Sequence, residues 1–257
     1  MDTAALGRRF GEMGARVRVE DHGLRRGGLL DIQKDKKGEI FVIGLPGESE
    51  AEVVNIEPKN RHLLILIRNE DGKHKFLCGH DERQWFAAAV PGPATTVRAA
   101  MEALKPAPVR QAQAVRGVHA EGRQRRHNKA YIRQGEWFFM PDSIQPDPML
   151  ILRNEPILRA GGGKPHMCER LYRVGGEAVH VHFSYAPNGL TGTQFKARST
   201  EVQRERGWRN MRRGMQTYVC GRITHPDHAT VVLKGWHRVV PNTEDQARSR
   251  RFLTFLD

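Results

Sequence analysis

The sequence predicts an α+β chain of two mainly antiparallel sheets with a few flanking helices. Apolar runs are short and end in turn dipeptides such as Asp71-Gly72, Gly175-Gly176 and Pro226-Asp227. Helical periodicity is confined to a few segments, while strand-like segments follow one another through most of the chain.

The first helix carries Leu6, Phe10 and Met13 at i, i+4 and i+7, with Asp2 placed to cap it. Residues 29–33 and 39–43 form a hairpin over the polar turn 34–38. A second hairpin joins 62–68 to 73–78. Glycine after aspartate favours a two-residue turn at Asp71-Gly72, which sets Ile67 opposite Phe76, Leu66 opposite Leu77 and Ile65 opposite Cys78. Both faces of that pair are apolar, as in the centre of a covered sheet. A strand over 84–90 follows. Thr95 or Thr96 then caps a helix carrying Val97, Ala100, Met101 and Leu104, which Pro106 ends.

Beyond Lys105 apolar periodicity disappears and Ala, Gln, Gly, Pro and Arg dominate up to Lys129. The expected organisation is therefore an α+β domain over 1–105, a basic linker over 106–129 and a second α+β domain over 130–257. The second domain holds strands near 130–140 and 150–153 and a hairpin turning at Gly175-Gly176. A basic helix follows, then strands over 217–224, 230–233 and 236–240.

Composition narrows the partner. Of 257 residues, 42 are Lys or Arg and 29 are Asp or Glu, a formal net charge of +13 at pH 7. Such an excess favours a polyanion, because cationic side chains neutralise phosphates and release their counterions. The longest apolar runs fall far short of the roughly 20 residues of a spanning helix, so no membrane partner is expected. The first residues lack the apolar core of a secretory signal. Three cysteines, Cys78, Cys168 and Cys220, without a CxxC pair argue against a disulfide framework. A cytoplasmic protein is the expectation.

The most informative tract spans residues 196–213. As one helix over 195–215, it sets Arg206, Arg209 and Arg213 on one face and Trp208, Met211 and Met215 on the other. Arginine suits phosphate because its planar fork binds two oxygens at once. Arg123, Arg125, Arg126 and Lys129 in the linker add to the same surface. Lys164, after Gly161-Gly162-Gly163, can also meet a phosphate, although Pro165 stands where a Walker motif has Ser or Thr. No zinc-finger spacing, RNP motif or helix-turn-helix is present, so binding is expected to ignore base sequence.

The 12 histidines supply a second candidate. A hairpin turning at Gly175-Gly176 sets Leu171 opposite His180 and Glu169 opposite His182. Glu169, His180 and His182 then share one face, the donor inventory of a two-His-one-carboxylate site for a divalent metal, or of an acid/base pair. The plainer account is a solvated sheet face that happens to hold two histidines. His225 and His228 flank the Pro226-Asp227 turn and can join such a site if the two hairpins pack together. Cys78 and His80 have the residue types of a thiol nucleophile and its base, but Cys78 falls on an apolar face where a thiol is inert packing.

Three functions follow from these features. The first is a protein that binds nucleic acid or another polyphosphate through the arginine-rich helix. The second is a metal-dependent hydrolase or nuclease using Glu169, His180 and His182. The third is a protein-interaction module of a larger assembly.

Overall fold

The computed structural model describes residues 3–22, 29–81, 84–158 and 164–242, with the backbone of 255–256. It is mostly β, 50% strand and 20% helix, in four sheets. This corrects the expected α+β chain of two sheets. Each half distributes its strands over two sheets, and the tract expected to be the main helix of the second half breaks into two helical turns followed by a strand. The chain divides into two compact units with the boundary between Arg125 and Arg126. Residues 107–115, expected to be linker, form a helix of the first unit. Its buried Gln113 shares the Arg123 carbonyl with the Lys105 ammonium, which lies 2.7 Å from Glu102 Oε2. A buried cation held this way draws the segment into the unit. Asp2, the expected first cap, lies outside the described residues.

In the first unit, Val17–Glu20, Gly38–Gly44 and Leu30–Asp35 form a three-stranded sheet in that order. Glu50–Glu57, His62–Asn69, Gly72–Asp81 and Gln84–Ala89 form a four-stranded one. The expected coverage of both faces of the central pair is present. Leu63, Ile65, Ile67 and Cys78 pack with Phe10, Met13, Phe41 and Ile43 on one side. Leu64, Leu77 and Ala88 pack with Val97, Ala100 and Leu104 on the other. The register differs from expectation: Ile67 faces His74 and Asn69 faces Gly72, so Glu70 and Asp71 make the turn. Gly72, at φ +124, follows the turn instead of lying in it. A slip of two residues keeps every side chain on its face, so the core pattern survives.

The second unit has a six-stranded sheet. Its order is Leu152–Ile157, His166–Val174, Gln216–His225, His228–Pro241, Trp137–Pro141, Ile132–Gln134. Trp137, Phe139, Leu171, Val219, Ile223 and Leu233 form its core. Ala186–Thr191, Glu177–His182, Arg209–Arg213 and Phe255–Leu256 make a four-stranded sheet.

One antiparallel register joins the two sheets. Arg170 pairs with Cys220 and Val174 with Gln216 in the first sheet. Glu177 pairs with Arg213 and Val181 with Arg209 in the second, continuing the same register. Gly175 and Gly176 are therefore a bend, not a hairpin turn, and Gly214 lies on the facing strand within the same bend. All three glycines have positive φ, +76, +76 and +72, which only glycine adopts without strain. The expected pairing of Leu171 with His180 and of Glu169 with His182 is thus overturned, because both strands cross together from sheet to sheet.

The bend makes a quantitative prediction. A Cβ on Gly176 would lie 2.7 Å from Met215 Cγ and 2.9 Å from the Arg213 carbonyl oxygen, whereas one on Gly175 meets nothing within 4 Å. Gly175→Ala should cost only backbone strain, about 1–2 kcal/mol. Gly176→Ala should cost that strain plus the clash with a backbone carbonyl. Urea denaturation is expected to rank Gly176→Ala clearly below Gly175→Ala, and equal stability would contradict this account of the bend.

Candidate nucleic-acid interface

The tract 196–213 is not one helix. Gly192–Lys196 is a single helical turn closed by a Thr191–Gln194 capping box, and Thr200–Arg204 is another, capped by Ser199. Gly207, at φ +104, turns the chain out of helix, and Arg209–Arg213 then pairs as a strand with Glu177–His182. The ladder supplies hydrogen bonds that outweigh the helix propensity of these arginines. The helical arginine row is therefore corrected: Arg206 lies in a turn and Arg209 and Arg213 on a strand.

Trp208 is the anchor of this surface. Its indole N–H donates to the Val202 carbonyl at 2.9 Å. Its ring packs edge-on to Phe195, with centroids 4.7 Å apart, and His180 stacks on Phe195 at 4.2 Å. His182 lies 5.1 Å from Trp208 and 4.8 Å from Tyr185. The result is a run of rings in which His180, Phe195, Trp208 and His182 are partly buried and Tyr185 is exposed. Phe183 beside it is 89% exposed.

The arginines around these rings divide into two kinds. Arg213 is committed to structure: it pairs with Glu177 at 2.7 Å and donates to the Asn188 carbonyl. Arg212 donates to the Gly175 and Gly176 carbonyls at the bend. Arg198, Arg204, Arg206 and Arg209 are exposed and enter no ion pair among the described residues. Arg206 is tied to the rings through its carbonyl, which accepts from His182 Nε2 at 3.0 Å, and Arg209 sits opposite Val181.

The other expected contacts are dispersed. Arg123 and Arg125 belong to the first unit, where Arg123 lies 3.5 Å from Glu102. Arg126, Lys129 and Lys164 belong to the second. Arg126 is half-buried, its pKa lowered by burial and by Arg133. Lys164 pairs with Asp227 at 2.8 Å.

The expected metal or catalytic trio is not brought together. Glu169 stands on the six-stranded sheet, His180 and His182 on the four-stranded one. The Glu169 carboxylate accepts from the Arg222 backbone N–H at 2.8 Å, over Gly221 at a register shift. Both His182 nitrogens are used. Nε2 donates to Arg206, and Nδ1 accepts from the Ser184 and Tyr185 amides. Cys78 is wholly buried, and burial pushes its thiol pKa far up, so it is packing.

A different trio is assembled instead. His166, His225 and His228 lie at the ends of three neighbouring strands, with ring centroids 4.1 Å (His166–His225), 4.5 Å (His225–His228) and 5.5 Å (His166–His228) apart. The turn histidines His225 and His228 were legible, but their partner was not. His166 follows Pro165 in a glycine-rich stretch and carries no local motif. It is wholly buried, which together with His225 and His228 holds its pKa down at about 3. Burial also lowers the pKa of His225 and His228.

No protein-family model, curated protein or solved structure matches the chain, so its chemistry rests on its own geometry. No helix among the described residues is long and apolar enough to cross a membrane.

The histidine trio makes stability depend on pH. Below its ordinary value of 6.5, His166 takes up a proton in the unfolded chain but not in the folded one, down to about 3. Its contribution is whole above about pH 6.5 and drains away as pH falls towards 3. Urea denaturation from about pH 7.5 to pH 4 should show this loss, with a shallower pH slope for His166→Phe. An unchanged slope would remove His166 as the source.

Proposed function

We propose that this chain binds nucleic acid, or a polyphosphate of similar charge density, largely without regard to base sequence, through the four-stranded sheet of its second unit. One observation carries this reading: Arg206 and Arg209, exposed and outside any ion pair among the described residues, flank the half-buried Trp208 in a run of rings. Guanidinium groups suit phosphate oxygens, and aromatic faces suit unpaired bases, whatever their identity. The same combination favours single strands over duplex, whose bases are already stacked on one another.

The hydrolase alternative built on Glu169, His180 and His182 finds no support in this geometry, because the carboxylate and the imidazoles occupy different sheets. The interaction-module alternative would use the same arginines but would have no need of the rings. An acidic peptide that binds as tightly as an oligonucleotide of equal charge would favour it.

Fluorescence anisotropy with a labelled oligothymidylate and a matched duplex, over a salt series, tests the proposal. Single-strand affinity should fall steeply with salt. Losing two phosphate contacts in Arg206→Ala/Arg209→Ala should flatten the log–log slope by about 1.4. Phe183→Ala and Tyr185→Ala should weaken single-strand binding by about 1–3 kcal/mol per stacked base while leaving duplex binding unchanged. The proposal fails if no binding occurs at low salt, or if the double arginine variant binds like the parent.

A further inference from the structure

We infer that His166, His225 and His228 form a binding site for a transition metal of the zinc class, separate from the arginine-lined surface and independent of the nucleic-acid reading. One ligand nitrogen from each histidine lies within 4.8 Å of the others. Zinc–nitrogen bonds of 2.0–2.1 Å bring tetrahedral ligand nitrogens about 3.3 Å apart, so modest ring rotation suffices.

Three features fit coordination better than plain packing. His166 is wholly buried, and neither of its ring nitrogens has a hydrogen-bond partner among the described residues. An unsatisfied buried imidazole is costly, and a metal bond satisfies it. His225, like His182, uses both ring nitrogens, but one of its two bonds is of the kind that a metal ligand keeps. Its Nε2–H donates to the Lys164 carbonyl at 3.2 Å, the outer-shell acceptor that steadies a metal-bound imidazole, which leaves the lone pair on Nδ1. That lone pair accepts from the Asp227 amide at 3.1 Å, a turn N–H that the metal would displace. His228 is accommodated by Gly135, where a Cβ would lie 2.6 Å from His228 Nε2.

The surroundings agree with neutral imidazole donors. Burial, the largest effect, disfavours a proton on both His225 and His228, and Arg126 and Arg133 add to it at His228, while Glu136 and Asp227 oppose it at both. Asp227 is offset by its pair with Lys164. Neutral imidazole is the form that binds metal. Cys168, two residues beyond His166, is buried and donates towards the His166 carbonyl, and its sulfur is not one of the clustered donor atoms. Three nitrogen donors suit zinc, cobalt or copper rather than magnesium or calcium. A four-coordinate ion held by them keeps one position for water or an anion, as in open zinc sites.

The test uses the full chain, stripped with a chelator and titrated with zinc or cobalt in the absence of nucleic acid. One metal per chain is expected, with a raised thermal midpoint and a cobalt spectrum of tetrahedral nitrogen coordination. His225→Ala and His228→Ala, both at partly exposed positions, should each weaken binding at least about 100-fold and abolish the thermal shift. His180→Ala should bind like the parent. The inference is overturned by failure of the parent chain to bind zinc or cobalt at micromolar concentration, or by unchanged affinity in His225→Ala and His228→Ala. If one of these variants does not fold, the other carries the comparison, with the cobalt spectrum of the parent as the second readout.

Discussion

One antiparallel register, running from Arg170 opposite Cys220 to Val181 opposite Arg209, governs the second unit. Two strands share it through two sheets and bend together where glycines with positive φ allow the backbone to turn without losing its ladder. Backbone hydrogen bonds tolerate few vacancies, so the bend has to occur in both strands at the same level. Every candidate site in this unit takes its place from that ribbon. His166 and His225 lie at one end; His180, His182 and Arg209 lie at the other. Glu169 and His182 share the first of its two chain segments, yet a bent strand cannot fold them onto one face.

Charge is arranged with similar economy. Arg213 and Arg212 close the bend by bonding to Glu177 and to glycine carbonyls, so these two arginines serve the fold. Lys105 does the same in the first unit, where a buried ammonium gathers Glu102, Gln113 and the Arg123 carbonyl. The positive surplus is thus partly absorbed by structure. What remains beside Trp208 is a smaller set, in which Arg206 and Arg209 border aromatic rings.

Several elements were legible because neighbouring residues define them. Leu6, Phe10 and Met13 mark a helix by spacing alone, and Thr96 caps its helix by accepting from the Ala99 amide. The apolar run 63–67 identifies a strand covered on both faces, and a register error of two residues did not disturb it, since strand faces repeat every second residue. The tract 196–213 misled for the converse reason. Its arginines fall at helical spacing, but a partner strand far along the chain supplied a competing set of hydrogen bonds.

By itself, the sequence determined many of the strand-forming segments, the positions where glycine must turn the backbone and the cationic surplus, but it set Trp208 on the face opposite Arg206 and Arg209. The features it determined depend on side-chain chemistry and spacing within a few residues. Only the tertiary structure decided whether Gly175-Gly176 reverses the chain or bends it, and which histidines meet. Both outcomes depend on which distant strand completes the ladder. A positive φ is compatible with a turn or a bend, and pairing across some forty residues selects between them.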